Sequence, residues 1–249
     1  MITLMAMALA APLFAQQEVQ ADQSAPEAVN QIEDPKAKAV VDDMYNAYLN
    51  CKTYTDSGIV TSGDSIVEFS TSFRRPGGLL IKFAGKNFVR TGQFVLWISG
   101  EQKKIEYTDF NGQQAEESAW PTDTWSEDVK LHRKDLTLSF ATSAFTGISL
   151  GATTNVPQML FPGEVTGREY GQIKDLVYQG TEDDRGVECD VLSSEKEGEK
   201  IWIDKSTHLL RHTYKESLFL GERFVFDTLY SPHFDTTVTD DSLSFDPPK

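Results

Sequence analysis

Apolar positions first recur at spacings of three and four just before residue 50. Ala37, Val40, Val41, Met44, Tyr45 and Tyr48 form one stripe along a helix. Asp34 suits the N-cap and Pro35 the first helical position, and the pattern ends near Asn50. Such a stripe packs on something flat and apolar, and the residues that follow supply it. YTDSGIVTS, SIVEFSTSFRR, GLLIKFAG, GQFVLWISG and KKIEYTDFNG are short, rich in β-branched and aromatic residues, and punctuated by Gly, Asp and Ser. In the second of them, Val67, Phe69, Thr71 and Phe73 share one face and Glu68, Ser70, Ser72 and Arg74 the other. Turn-length gaps between these stretches favour an antiparallel meander over βαβ units.

The middle of the chain breaks the alternation. Leu131, Leu136, Leu138, Phe140, Ala144 and Phe145 fit a helical period only roughly. The insert over about residues 131–160 therefore reads as short helical pieces ending at Gly147 or Gly151, followed by an apolar turn in NVPQMLFPG. It suits a cover over a sheet rather than a part of one. Strands then resume in IKDLVYQGTED, GVECDVLSSEK, EKIWIDKSTHLLRHTYKES and GERFVFDTLYS. Within EKIWID, Ile201 and Ile203 face one way and Trp202 the other, Asp204 to Thr207 is a turn, and a strand begins at Leu209. With no fixed-period repeat and no linker dividing the strands, residues 34–249 read as one domain.

Charge narrows the partners. The net charge of −15 argues against nucleic acid and against docking on an anionic membrane surface, both of which need clustered Lys and Arg. Residues 2–15 are uncharged and rich in Ala, Leu and Met. The run is shorter than the about 20 apolar residues that span a bilayer, and it fits the apolar region of a signal peptide cleaved near Ala15. It lacks the usual preceding Lys or Arg. Residues 16–33 are polar, acidic and patternless, and read as a disordered tether. The expectation is an exported, periplasmic, soluble monomer. Cys51 and Cys189 would then meet an oxidising compartment, where an even count permits a disulfide; two buried free thiols are the other outcome.

A search for chemistry returns little. His208 and His212 sit four apart in strand-like sequence. Four residues of strand span about 13 Å, whereas two ligands of one zinc each lie about 2 Å from it, so a shared metal is excluded at that spacing. The GISLG stretch at residues 147–151 matches a nucleophile elbow in letters but lacks the preceding strand that the mechanism needs. Adjacent acids such as Glu182, Asp183 and Asp184 do not face one another across a cleft, as glycoside hydrolysis requires. No phosphate-binding loop has the required spacing. The expectation is a protein without catalytic residues, metal or cofactor. A curling sheet, an apolar helix and an apolar insert make a container instead.

Several stretches resemble the periplasmic lipoprotein carriers of the lipoprotein-localisation pathway and their wider superfamily, which also includes a sensor of envelope stress. A signal peptide precedes the Asp34 helix, and FRRPGGLLIKF is similar to a strand ending in Arg-Pro followed by an apolar strand. GQFVLWISGEQKKIEYTDF resembles the superfamily's Trp-bearing hairpin, GEKIWIDKSTHLLRH its strand-turn-strand, and LSFDPPK its closing segment. The Gly77-Gly78 pair and the long insert place the chain nearer the uncharacterised branch. The resemblance implies an α+β fold: a curved antiparallel sheet forming an open half-barrel closed by a helical lid around an apolar cavity. It implies that Arg75 latches the lid by donating to lid carbonyls. Val67, Phe69, Phe73, Leu80, Phe83, Leu96 and Trp202 are the expected cavity residues. The implied ligand is an acyl chain or lipid-modified protein, with a membrane-bound donor or acceptor as a further partner. The alternative is a scaffold or stress sensor that binds a polypeptide on the same sheet.

Overall fold

The computed structural model describes residues 30–75, 78–86, 91–99, 102–110, 149–152, 154–162, 165, 168–219 and 222–244. The expected signal peptide, the tether as far as residue 29, the insert as far as residue 148 and the final Phe-Asp-Pro-Pro-Lys lie outside these residues. Helix α1 (Pro35–Asn50) forms where the stripe predicts it and buries Ala37, Val40, Val41, Met44 and Tyr48. Its cap does more than the sequence suggests. Asp34 Oδ1 accepts from the backbone N–H groups of Lys36 and Ala37, while Oδ2 accepts from Tyr178 N at 3.0 Å. The Tyr178 bond, ahead of that from Lys36, holds the Asp34 carboxyl below its ordinary pKa. Residues 30–33, expected to belong to a disordered tether, are ordered against the core. Ile32 is 5% exposed within the core, and Gln31 N and Glu33 N donate to Gly171 O and Lys174 O, so an apolar side chain and two backbone bonds order residues 30–33.

Among the described residues, eleven strands form one antiparallel sheet. The first run is β1 (Thr53–Ser62), β2 (Ser65–Arg74), β3 (Gly78–Lys86), β4 (Thr91–Ser99) and β5 (Gln102–Phe110). The second is β6 (Val177–Asp184), β7 (Val187–Ser194), β8 (Glu199–Asp204), β9 (Leu210–Phe219), β10 (Glu222–Tyr230) and the short β11 (His233–Phe234). Each run is a meander, and β1 pairs with β10 to join them, giving the order β5-β4-β3-β2-β1-β10-β9-β8-β7-β6 with β11 beside β1. The edges β5 and β6 do not pair, so the curved sheet stays open. At the seam Gly58 lies opposite Tyr230 and Phe69. A Cβ at Gly58 would collide with the Phe69 ring and with Leu229 O, so only glycine lets the strands approach there.

The stretch expected to be an apolar turn is instead a short helix, α2 (Asn155–Leu160), with Val156, Met159 and Leu160 buried. Pro157 is compatible because it falls in the first turn, where its missing N–H costs nothing. The KIWIDKSTHLLRH stretch is the β8–β9 hairpin. Asp204 Oδ1 accepts from Ser206 N and Thr207 N, Asp204 N donates to Leu209 O, and His208 takes φ +58° in the turn. His208 and His212 thus serve a turn and a strand.

One apolar cluster joins α1 and α2 to Tyr54, Val67, Phe69, Phe73, Leu79, Ile81, Phe83, Leu192, Ile201 and Ile203 on the inner face of the sheet. A small outer cluster packs Val238 and Leu243 against Leu80. Cys51 and Cys189 are both buried free thiols. Cys51 Sγ donates to Tyr48 O at the end of α1. Cys189 is an odd number of residues from the inward-facing Leu192, so strand alternation turns it to the other face. The sheet separates the two, which is why the permitted disulfide does not form. Burial pushes the thiols up, to about 11 for Cys51 and about 12 for Cys189, which keeps them protonated and unreactive. Thiol labelling of denatured, non-reduced protein should therefore find both cysteines free, whereas a blocked pair would contradict this arrangement.

Candidate functional site

The sequence places two arginines at the end of β2, and the pleat sends them to opposite sides. Arg74 turns outward and donates from Nη1 to Val238 O at 3.1 Å, fastening the C-terminal segment. Arg75 reaches the helices. Its backbone N–H donates to Lys52 O at 2.8 Å. Its Nε donates to Cys51 O at 3.1 Å, and Nη2 to both Tyr48 O at 3.3 Å and Leu160 O at 2.8 Å. Tyr48 and Cys51 are at the end of α1, and Leu160 is the last residue of α2. The final carbonyls of a helix have no partner within it and carry the negative end of its dipole. A planar cation with several fixed donors meets both needs at once. The guanidinium also lies 4.9 Å from the Phe73 ring centroid, and Phe73 meets Phe161 edge-on at 5.3 Å. The last turn of α2 is thus held by one polar and one aromatic contact.

Behind this clasp lies a buried row of aromatic and polar groups. Tyr48 sits 5.4 Å from Tyr54 and 6.0 Å from Phe234, ring to ring. The Tyr48 hydroxyl accepts from Leu210 N at 3.2 Å, so α1 touches β9 as well as β2. The Tyr54 hydroxyl donates to Asp56 Oδ2 at 2.9 Å, and Ser231 N donates to Asp56 Oδ1 at 2.9 Å. Burial pushes the Asp56 carboxyl up to about 7, against the opposing pull of the Tyr54 and Ser231 bonds. Burial likewise raises Tyr48 and Tyr54 above the usual phenol range.

Of the expected cavity residues, Val67, Phe69, Phe73 and Phe83 come together in the inner cluster. Leu80 does not. Leu79, Ile81 and Phe83 point inward, so Leu80, an odd number of positions from each, faces outward under Val238 and Leu243. Trp202 is a second correction: between inward-facing Ile201 and Ile203, it is half-buried on the outer face. There its indole N–H donates to Glu182 Oε2 at 2.9 Å, and its ring stacks on His212 at 4.0 Å. Leu96 is on β4 and falls outside the described side chains. Sequence reasoning expected Arg75 to donate to carbonyls of the insert without singling out Leu160, and it missed the Tyr48 and Cys51 carbonyls at the end of α1. They act through backbone oxygens, and nothing in a residue's identity marks its carbonyl for such a role. Among the described residues, no group of three or more His, Cys, Asp or Glu could hold a metal ion.

No protein-family model and no curated protein matches the chain. Among solved structures it is similar to the crystal structure of MucB, with a TM-score of 0.46 and 9% identity over 86% of this chain and 64% of that one. The complex structure of Pseudomonas aeruginosa MucA/MucB gives a TM-score of 0.44 and 12% identity over 85% of this chain and 61% of that one. A putative outer membrane lipoprotein-sorting protein domain from Vibrio parahaemolyticus gives 0.30 and 8% identity over 83% of this chain and 97% of that one. The chain thus spans less than two thirds of the MucB chains it matches. At these scores the likenesses carry no functional weight, and the site is read from its own residues.

Asp56 makes the buried row pH-dependent. Between its ordinary value of 3.8 and about 7, the native state holds a proton that the unfolded state has released. Stability from this group therefore falls as pH rises through that window. Asp56→Asn removes the titration. Relative to the variant, the wild type should lose melting temperature as pH rises from 3.8 to about 7. A constant difference between the two proteins across that range would mean that Asp56 titrates normally.

Proposed function

We propose that this chain is an exported, periplasmic binding protein that takes up an apolar chain, an acyl group or a lipid-modified protein, against the inner face of its curved sheet. It binds rather than catalyses, and a membrane-bound donor or acceptor is the natural partner for such cargo. The observation that supports this reading is the Arg75 clasp on the ends of α1 and α2.

For a ligand to reach Phe73 and its inward-facing neighbours, α2 must leave them. Two kinds of interaction resist. Burial of Val156, Met159, Leu160 and Phe161 stabilises the closed form by about 1.5–3 kcal/mol per large side chain. Each charge-assisted bond from Arg75 adds about 1.5–3 kcal/mol. An apolar ligand replaces the first kind of contact with its own surface, so that cost largely cancels. It offers nothing to the guanidinium. The clasp is thus the part of the barrier that the ligand cannot repay, and it keeps the apolar face covered when no ligand is present.

Replacing Arg75 with Leu should raise the fluorescence of a bound hydrophobic dye several-fold and speed amide exchange over residues 149–162, with the far-ultraviolet circular dichroism unchanged. Lys at this position should restore closure only in part, because an ammonium cannot span two helix ends with a fixed fork. Organic extraction of the purified protein followed by mass spectrometry should recover an acyl-bearing molecule. Unchanged exchange in Arg75→Leu, together with an empty extract, would rule out the gated-carrier reading.

A further inference from the structure

A cleft of about 390 Å³ opens between α1, α2 and the turn at Tyr170–Gln172, with no strand residue among its described lining. Its size falls within the range of about 300–1,000 Å³ typical of ligand sites. Tyr45 and Leu49 supply an apolar wall from α1, and Met159 and Pro162 supply one from α2 and its exit. Leu49 is 47% exposed, a large apolar side chain at the end of α1 that the fold leaves uncovered. Gln158 lines the same cleft, is only 5% exposed, and its Oε1 is buried with no hydrogen-bond partner. An acceptor left this way costs free energy in the empty protein, and an N–H or O–H donor brought by a ligand recovers it. Asp42, already held by Lys38 and Asn30, and Glu169 are the acidic lining residues, and no Lys or Arg is among the described residues of the walls.

We propose that this cleft docks an extended segment of a polypeptide partner carrying an apolar residue beside a basic one. The apolar side chain packs between Leu49, Tyr45 and Met159, and a backbone N–H of the segment donates to Gln158 Oε1. The basic residue lies toward Glu169, which is exposed at the rim. The net charge of −15 steers a cationic segment to the site and repels an acidic one. The chain's own N-terminal segment, which enters the described structure at the cleft-lining Asn30, is the wrong occupant on the same ground. Residues 1–29 contain Glu18, Asp22 and Glu27 and no Lys or Arg. This site takes its occupant on residues other than the inward face of the sheet, and it shares α2 with the Arg75 clasp, so it is complete only in the closed form.

The test uses two fluorescein-labelled peptides, one reading Lys-Ala-Leu-Ala-Lys and the other with both Lys replaced by Glu, titrated by polarisation against the full chain. The basic peptide should bind at least about tenfold more tightly. Leu49→Glu, at an exposed position that does not support the core, should weaken it by about tenfold or more. Gln158→Leu should separate binding from folding. Removing an unpaired buried acceptor should raise the melting temperature, while loss of the ligand's hydrogen bond should lower the peptide's affinity. Hydrophobic-dye binding in Arg75→Leu should be unaffected by either peptide's failure, which keeps this result distinct from the carrier test. Equal binding of the two peptides, or affinities unmoved by both cleft substitutions, would overturn the proposal.

Discussion

The free carbonyls at the end of α1 need a cation, and Arg75 is the side chain that supplies it. That requirement fixes much of the architecture. Arg75 can reach Tyr48 O and Cys51 O only because β2 pairs with β1 along its whole length, Thr53 opposite Arg74 and Ser62 opposite Ser65. At its other end, α1 is tied to β6 through Asp34 and Tyr178 N. At the clasp end, the Tyr48 hydroxyl also takes Leu210 N of β9. The helix therefore braces both meanders. They need a brace, because the seam between β1 and β10 pairs only from Gly58 opposite Tyr230 to Thr61 opposite Asp227.

The buried polar row beside the seam has a related role. Asp56 Oδ1 accepts from Ser231 N, and Ser231 N also donates to Ser57 O. These bonds set where the second meander stops against the first. A carboxyl removed from water costs free energy unless it is hydrogen-bonded. Here it is, and the remaining cost appears as a raised affinity for a proton. A leucine in its place would bury without penalty but would not fix the end of β10, so the polar group trades some stability for register.

Local pattern made the elements legible: the Asp34 cap, the α1 stripe, the alternation in β2 and the β8–β9 hairpin all follow from spacing and turn chemistry. What the sequence left open was which face each residue takes and which distant groups meet. Leu79 and Leu80 are adjacent, equally apolar and both buried, yet one joins the inner cluster and the other lies under the C-terminal segment. Only tertiary pairing decides between them, because a shift of one residue inverts a strand. Trp202 was the avoidable error, since its flanking isoleucines already marked it as outward. The pairing of β1 with β10 and the bond from Arg75 to Leu160 join residues far apart in the chain, and no local period encodes them. Ile32 lies in a polar run that reads as tether, where one buried side chain is too weak a signal to detect.

The shortness of α2 shapes how the proposed gate would move. It has six residues, far below the about 12–15 at which an isolated helix becomes even marginal in water. Its structure therefore depends on what it touches: the sheet through Val156, Met159 and Leu160, Phe73 through Phe161, and Arg75 through the Leu160 carbonyl. Such a helix does not swing away as a rigid flap. Once Leu160 O leaves Arg75, the last turn loses the cation that held its end, and the backbone bonds behind it lose much of their reason to stay formed. Opening and local melting are then one cooperative event, of the kind that lies at the low end of a protein's range of local stabilities. In the proposed uptake a ligand would therefore meet a loosened segment that moulds to its shape, and the folded helix would return only when Arg75 again finds both helix ends.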